Sequence, residues 1–511
     1  MTRNIPLLVD PGDSCNSCAN ACASRRSGTV PPSTSVVRDF SATTRQFPEL
    51  DASACVGCMD CVTQCPDGAI LAKVVPVSVA EREIERLGGD AQAARSWLVR
   101  TTKFHDIPAR KGQEPGSFAL AVDVARCKGC GECVTACGSH GALRMQPKDE
   151  TLMGRLRAGF RLVRALPDTP DAYIQTKVLP DMMLKASALL YQGGGASCMG
   201  CGEATAIRMT LAATGFVYGP KGIGVVAATG CNTVFGSTFP HNPYQVPWTS
   251  SLFENAPAVA MGIRARWNAL GMQRNRLWVF GGDGAMFDIG LQCLSRMLAS
   301  GMDIKVLVLD TQAYSNTGGQ ATTSSFRAQE GKLMAYGAVL RGKIERRKEL
   351  AQIAMMHPDI YVAQTTCAHT THFYRTILAA NEFPGPAVII AYTPCQPEHG
   401  IADDASVKQA ELAVASRAFP LLVHDPRNGE KLQERLSLHG NPARKDDWFV
   451  TSDGKQFDFI EFARTENRFA SQFDGDGNPS AELRSAQEDR LRNWRQLQEL
   501  AGLRPAGETP G

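Results

Sequence analysis

Eight of the chain's 17 cysteines fall into two runs of one spacing. Cys55, Cys58, Cys61 and Cys65 are followed far downstream by Cys127, Cys130, Cys133 and Cys137 at the same intervals. Three thiolates this close let one loop wrap a face of an iron–sulfur cube, while the fourth, held on the helix that follows, crosses to the neighbouring cube. The spacing therefore pairs Cys55, Cys58, Cys61 and Cys137 around one 4Fe-4S cluster, and Cys127, Cys130, Cys133 and Cys65 around another. Zinc sites use separated cysteine pairs, which these runs are not. The second run ends in Cys137-Gly138 where the first has Cys65-Pro66, a difference that concerns the local turn and not the ligands.

A different chemistry is written between Arg276 and Gln320. The apolar run Leu277 to Phe280 ends in Gly281-Gly282-Asp283-Gly284, after which Met286, Ile289, Leu291, Leu294 and Leu298 recur at helical spacing until Gly301. A second apolar run, Ile304 to Leu309, ends in Asp310-Thr311. Strand, helix and strand make a right-handed βαβ unit, whose strand ends open on one edge, where open α/β sheets bind ligands. There a carboxylate from Asp283, the Thr311 hydroxyl and a backbone carbonyl suit Mg2+ carrying a diphosphate. A lone Gly-Asp-Gly is also a common turn, so these residues alone leave both readings open.

The unit resembles the thiamine-diphosphate loop of the pyruvate:ferredoxin oxidoreductase family. That loop continues as Tyr314-Ser315-Asn316-Thr317-Gly318-Gly319-Gln320, and Thr311 stands where many other thiamine enzymes have asparagine. The resemblance implies Mg2+ bound by Asp283, Thr311 and the Ala313 carbonyl, with Gly282 and Gly284 shaping the turn and Asn316 hydrogen-bonding the reacting centre. It also places Glu203 beside the cofactor. A third, proximal 4Fe-4S cluster next to the thiamine would use Cys198 and Cys201, Cys231 of Thr229-Gly230-Cys231, and Cys395 after Ile390-Ala391-Tyr392. Without the resemblance, Cys231 and Cys395 read as small buried core residues, as Cys293 and Cys367 still do. Cys15, Cys18 and Cys22 could present three corners of an extra iron–sulfur cluster, with no fourth ligand nearby.

The elements that must position these residues are laid out along 511 residues, 43% hydrophobic and 21% charged, an ordinary balance for a soluble globular chain with a large core. A net charge of +3 gives no ground for nucleic acid or an anionic membrane. No apolar run is long enough to span a bilayer, and clustered cysteines without an export signal fit a cytoplasmic, reducing compartment. The expected order is a cysteine-containing extension (1–53), a ferredoxin-like α+β dicluster domain with an insert (54–150), a linker (151–188), a parallel-sheet α/β thiamine-diphosphate and proximal-cluster domain (189–428), and a tail (429–511) packing on that domain or on a partner. Val79 to Leu98 reads as helix broken at Gly88-Gly89, and the insert carrying it as a domain-docking element. Arg155, Arg157, Arg161 and Arg164 read as a solvated face of the linker.

By resemblance the chain is the catalytic and electron-transfer subunit of a 2-oxoacid:ferredoxin oxidoreductase. Its cofactors would be thiamine diphosphate, Mg2+ and three 4Fe-4S clusters, with a fourth iron–sulfur cluster if the N-terminal cysteines bind one. Coenzyme A would accept the acyl group, and ferredoxin, flavodoxin or another reductase the electrons. Pyruvate is favoured ahead of 2-oxoglutarate or an aryl pyruvate. The family's pyrimidine-binding and coenzyme A domains have no counterpart here and are expected on a separate subunit, in a dimer of heterodimers. A non-redox thiamine lyase or synthase is disfavoured by the cluster cysteines. An electron-transfer subunit with a degenerate thiamine fold is disfavoured by the intact Asp283 and Asn316 positions.

Overall fold

The computed structural model describes residues 32–192, 195–237, 241–334 and 341–505, so Cys15, Cys18 and Cys22 lie outside the described residues. The cysteine runs sit in a small α+β unit. Strand β1 (Gln46–Leu50) precedes the first run, the short helix Asp60–Gln64 carries its third cysteine, and β2 (Ile70–Pro76) follows. Strands β3 (Leu98–Val99) and β4 (Gly116–Val122) close the insert, the helix Glu132–Cys137 ends the second run, and β5 (Leu143–Pro147) completes the unit. β1 pairs antiparallel with β5, and β2, β4 and β3 form a second antiparallel sheet.

This layout moves two expected boundaries and changes one reading. Because Phe47 pairs with Gln146 and is fully buried, residues 46–50 belong with the clusters and not with an N-terminal extension. Glu150–Ala165, expected in the linker, is a helix capped by the Asp149 side chain, and its buried face packs on β4 and on the insert helix Ala91–Arg95. Its arginines stay on the outer face, where Arg155 meets Glu49 at 2.5 Å and Arg157 and Arg164 are exposed. The insert helices Val77–Arg86 and Ala91–Arg95 therefore pack within their own unit, which corrects their reading as a docking element between domains.

The large domain holds an eight-stranded sheet. In chain order its strands are β6 (Ile223–Ala227), β7 (Trp248–Ser250), β8 (Arg276–Gly282), β9 (Lys305–Asp310), β10 (Tyr361–Thr366), β11 (Ala387–Tyr392), β12 (Leu422–His424) and β13 (Leu436–Ser437). In space they run β13-β12-β10-β11-β9-β8-β6-β7. The six from β10 to β7 are parallel, whereas β12 and β13 add an antiparallel edge that a purely parallel reading did not foresee. The central strands are buried along their whole length, which is why they read as unbroken apolar runs. Alternate side chains still serve opposite cores. Val279, Val306, Val308, Val388 and Ile390 face one layer, and Phe280, Leu307, Leu309 and Ile389 the other.

The tail packs on this domain. Phe459, Phe462 and Phe469 surround Phe326 at ring distances of 5.2 to 6.4 Å, and Trp494 of the helix Ala481–Leu500 is fully buried. Because β13 contributes to the sheet, the domain continues past its expected limit at 428. Among the described residues no helix is long and apolar enough to cross a membrane.

Candidate functional site

Each four-cysteine set lines its own cavity. Cys55, Cys58, Cys61 and Cys137 surround one, and Cys65, Cys127, Cys130 and Cys133 surround a second. The structure thus brings Cys137 and Cys65 across to the opposite runs. Burial pushes the Cys58 and Cys130 thiols up to about 12. Thiols so desolvated ionise when iron supplies the compensating charge. Each set lines a space between its four thiols, as a cluster requires. The Cys137-Gly138 departure has a geometric reason. Gly138 has φ +54°, which proline's ring forbids.

The Gly-Asp-Gly loop opens at the carboxyl edge of the sheet. Gly282 of β8 pairs with Leu309 of β9, so Asp283 and Thr311 leave adjacent strands almost side by side. They share a cavity with Glu203, Gly230, Cys231, Gly282, Gly284, Ala313 and Asn316, where Phe253 and Tyr314 meet edge to face at 6.3 Å. A Cβ at Gly282 would meet nothing nearer than the Leu309 carbonyl at 3.8 Å, whereas one at Gly284 would strike the Tyr314 ring at 2.3 Å. Asp283 is buried; its carboxylate accepts hydrogen bonds from the Ser324 hydroxyl at 2.7 Å and the Gly284 amide at 3.0 Å. Burial, then the Asp310 carboxylate, push it well above the ordinary carboxylate range. A divalent cation would remove that penalty, so the donor set fits Mg2+.

Several supporting residues were not visible in the sequence. Gln312, between Thr311 and Ala313, holds φ +59°, a left-handed conformation rare outside glycine. The turn is pinned because the Gln312 carbonyl accepts from the Ser325 hydroxyl at 2.6 Å and the Gln329 amide at 2.8 Å. Buried His399 lies 2.8 Å from the Thr311 carbonyl through Nε2, with Glu466 of the tail 3.5 Å from its Nδ1. Burial keeps this imidazole neutral, so Nε2 is the nitrogen that donates to Thr311. Fully buried Asn232 follows Cys231, and neither end of its side-chain amide has a partner among the described residues. Its only sequence signal is its place after Thr-Gly-Cys.

Glu203 opens the helix Gly202–Tyr218, and burial pushes its carboxyl up to about 8. At neutral pH it is therefore mostly protonated and able to donate a hydrogen bond into the cavity. Asn316 sits exposed on the rim. The four proximal cysteines converge from distant parts of the chain. Cys231 is pushed up by burial first, then by Glu203 and by the thiols of Cys201, Cys395 and Cys198. Cys367 is buried, whereas Cys293 is only partly buried on its helix and is not the core residue expected. Ile289, expected on a buried helical face, is 53% exposed because the turn Gly284–Ile289 winds wider than an α-helix.

The Cys198–Cys201 loop depends on Gly200. It has φ +68°, and a Cβ there would lie 1.9 Å from the Asp403 carbonyl oxygen. Gly200→Ala is expected to destabilise the protein by about 1–3 kcal/mol, read as a lower urea midpoint. An unchanged midpoint would show that the loop has room to shift.

Both regions have counterparts among known proteins. Residues 228–391 match the model described as "Thiamine pyrophosphate enzyme, C-terminal TPP binding domain", and residues 47–70, spanning the first cysteine run, match "4Fe-4S binding domain". "Pyruvate synthase subunit PorB" of Methanosarcina barkeri is 32% identical over 56% of this chain and 88% of its own length. The protein of the same name from Pyrococcus furiosus is 33% identical over 53% of this chain and 81% of its own. "Probable pyruvate-flavodoxin oxidoreductase" of Escherichia coli is 27% identical over 78% of this chain but only 37% of its own length. The chain thus spans about two fifths of such longer relatives, carrying a thiamine-diphosphate-binding domain of α/β fold and a 4Fe-4S domain. With the PorB proteins matched over most of their length, the chain belongs to the pyruvate:ferredoxin oxidoreductase family.

Proposed function

We propose that this chain is the thiamine-diphosphate-binding and electron-transferring subunit of a 2-oxoacid:ferredoxin oxidoreductase, acting on pyruvate with coenzyme A as acyl acceptor. One observation carries the reading. Cys231, grouped with Cys198, Cys201 and Cys395, lines the same cavity as Asp283, Thr311 and Asn316. A non-redox thiamine enzyme has no use for a cluster ligand in the wall of its cofactor site.

In this reading Asp283, Thr311 and the Ala313 carbonyl hold Mg2+, and Cys198, Cys201, Cys231 and Cys395 hold a proximal 4Fe-4S cluster beside the two in the smaller unit. When bound, thiamine diphosphate supplies the electron sink for decarboxylation and the clusters carry electrons singly. The chain's own residues supply positioning. Ser324 orients the Asp283 carboxylate, and His399 fixes the Thr311 carbonyl. Phe253 and Tyr314 wall the cavity against water, Glu203 presents a buried proton, and Asn316 stands at the mouth to meet substrate.

The open mouth supports a separate partner. Leu252, adjacent in sequence to the cavity-lining Phe253, is 61% exposed, and Ile289, ending the turn that follows Asp283, is 53% exposed. Large apolar side chains bordering a cofactor cavity suit coverage by another protein. A subunit with pyrimidine-binding and coenzyme A domains would supply that cover, two such heterodimers pairing symmetrically, with ferredoxin or flavodoxin taking the electrons. Two relatives are themselves named as subunits.

The test is a panel of 2-oxoacids with coenzyme A and a low-potential acceptor, applied to the complex from the native host and to the isolated chain. Oxidation by the complex, fastest on pyruvate, and none by the chain alone is expected. Turnover by the isolated chain would contradict the partner, and another preferred 2-oxoacid would contradict pyruvate.

A further inference from the structure

The seam between the two domains holds a buried positive charge that the proposed chemistry leaves unused. Arg208 lies on the helix Gly202–Tyr218, buried without a break from Gly202 to Gly215, and is itself 2% exposed. Its guanidinium crosses the seam, where Nη1 donates to the Thr63 carbonyl at 3.0 Å. Thr63 lies between Cys61 and Cys65. Nη2 has no hydrogen-bond partner among the described residues. Nor does Arg208 form an ion pair there; the neighbouring Asp67 carboxylate is held by Lys128 at 2.8 Å.

A desolvated guanidinium without a carboxylate is costly and persists where something else supplies negative charge. Burial holds the Arg208 guanidinium below its usual range, and of the neighbouring groups that oppose this Cys65 comes ahead of Tyr374 and Asp67. Cys65 lines the cavity with Cys127, Cys130 and Cys133. A 4Fe-4S centre with four thiolates is anionic, and each reduction adds one more negative charge, at close range in a poorly screened interior. Arginine stays charged throughout, so its influence is constant.

We infer that Arg208 sets the reduction potential of the cluster held by Cys65, Cys127, Cys130 and Cys133, making that cluster easier to reduce than its cysteines alone would. The inference rests on the reading of those cysteines given above. Arg208 touches neither substrate nor thiamine site; it is a positioning charge, supplied by the thiamine domain to a cluster of the other domain. The effect therefore exists only when the two domains are docked.

The test is a redox titration, followed by electron paramagnetic resonance, of the cluster-loaded full chain as wild type, Arg208→Met and Arg208→Lys. The relevant signal is identified by its loss in Cys130→Ala. Methionine keeps the volume and leaves no charge stranded, since Asp67 retains Lys128. Arg208→Met should shift that midpoint downward and leave the midpoint of the Cys55 cluster in place, while Arg208→Lys restores most of the shift. Asp67→Asn, which removes a negative charge from the same cavity wall, should shift it upward and serves if the methionine variant does not fold. A structural pin to Thr63 would change stability without moving any midpoint. An unmoved or upward-shifted midpoint in Arg208→Met, or a midpoint that does not rise in Asp67→Asn, overturns the inference alone. A wild type with no signal that Cys130→Ala removes overturns the cysteine reading as well.

Discussion

Asp283→Ala protein is expected to bind no measurable thiamine diphosphate while keeping its full iron content. The Asp283 carboxylate is the acidic group aimed at the proposed Mg2+, and the cysteine cavities of the smaller unit lie in a separate part of the chain. Folding should survive, because the substitution removes a buried carboxylate that faces Asp310. In the cofactor-free protein that group's folded pKa is raised. Its contribution to stability is therefore greatest below its ordinary value of 3.8 and declines as pH rises above it. Mg2+ with thiamine diphosphate should cancel the decline in wild type and do nothing in Asp283→Ala. Ser324→Ala, which removes only the hydrogen bond that orients Asp283, should weaken metal affinity by about 10–100-fold. Mass spectrometry and calorimetry would read both, and full thiamine occupancy in Asp283→Ala would mean that the cation sits elsewhere.

The second large effect is expected from Cys395→Ala. Cys395 reaches the site from the end of β11 and is pushed up to about 12, chiefly by burial. Its loss should remove about one cluster's worth of iron. Thiamine diphosphate should remain bound, since Asp283 and Thr311 stand on other strands. Electron delivery to an external acceptor should fall to background, because the remaining clusters are no longer connected to the cofactor cavity. Iron analysis with acceptor-reduction kinetics separates this from general damage, which would lower iron at the ferredoxin-like cavities too. An unchanged iron content would remove Cys395 from the set.

These sites were legible in the sequence to the extent that local spacing encodes them. The two cysteine runs are short-range patterns, and the crossing of Cys65 and Cys137 follows from where the helix after each loop must point. The Gly-Asp-Gly turn and the strand ending at Asp310 were equally readable, because buried parallel strands are continuous apolar runs. What escaped was set by packing between distant segments. β1 carries Pro48, which argues against a strand, yet proline is tolerated at the edge of a two-stranded sheet. The helix Glu150–Ala165 looked like linker because its arginines dominate one face, although its other face is buried. Asn232, Ser324, His399 and Arg208 are single polar residues in ordinary surroundings. Only the fold gives Ser324, His399 and Arg208 their partners, in Arg208's case from the other domain, and only the fold buries Asn232 beside the cavity.

In the proposed function, electrons leave a thiamine site in this chain through its own cysteine-held clusters. The most direct measurement is low-temperature electron paramagnetic resonance of the anaerobic complex, loaded with thiamine diphosphate and Mg2+, before and after pyruvate is added without external acceptor. Pyruvate-dependent signals of reduced 4Fe-4S clusters are expected, absent in Asp283→Ala and lost from the two ferredoxin-like clusters in Cys395→Ala. Clusters that stay oxidised in a wild-type complex with full thiamine and iron, when pyruvate or any other 2-oxoacid is supplied, would contradict it.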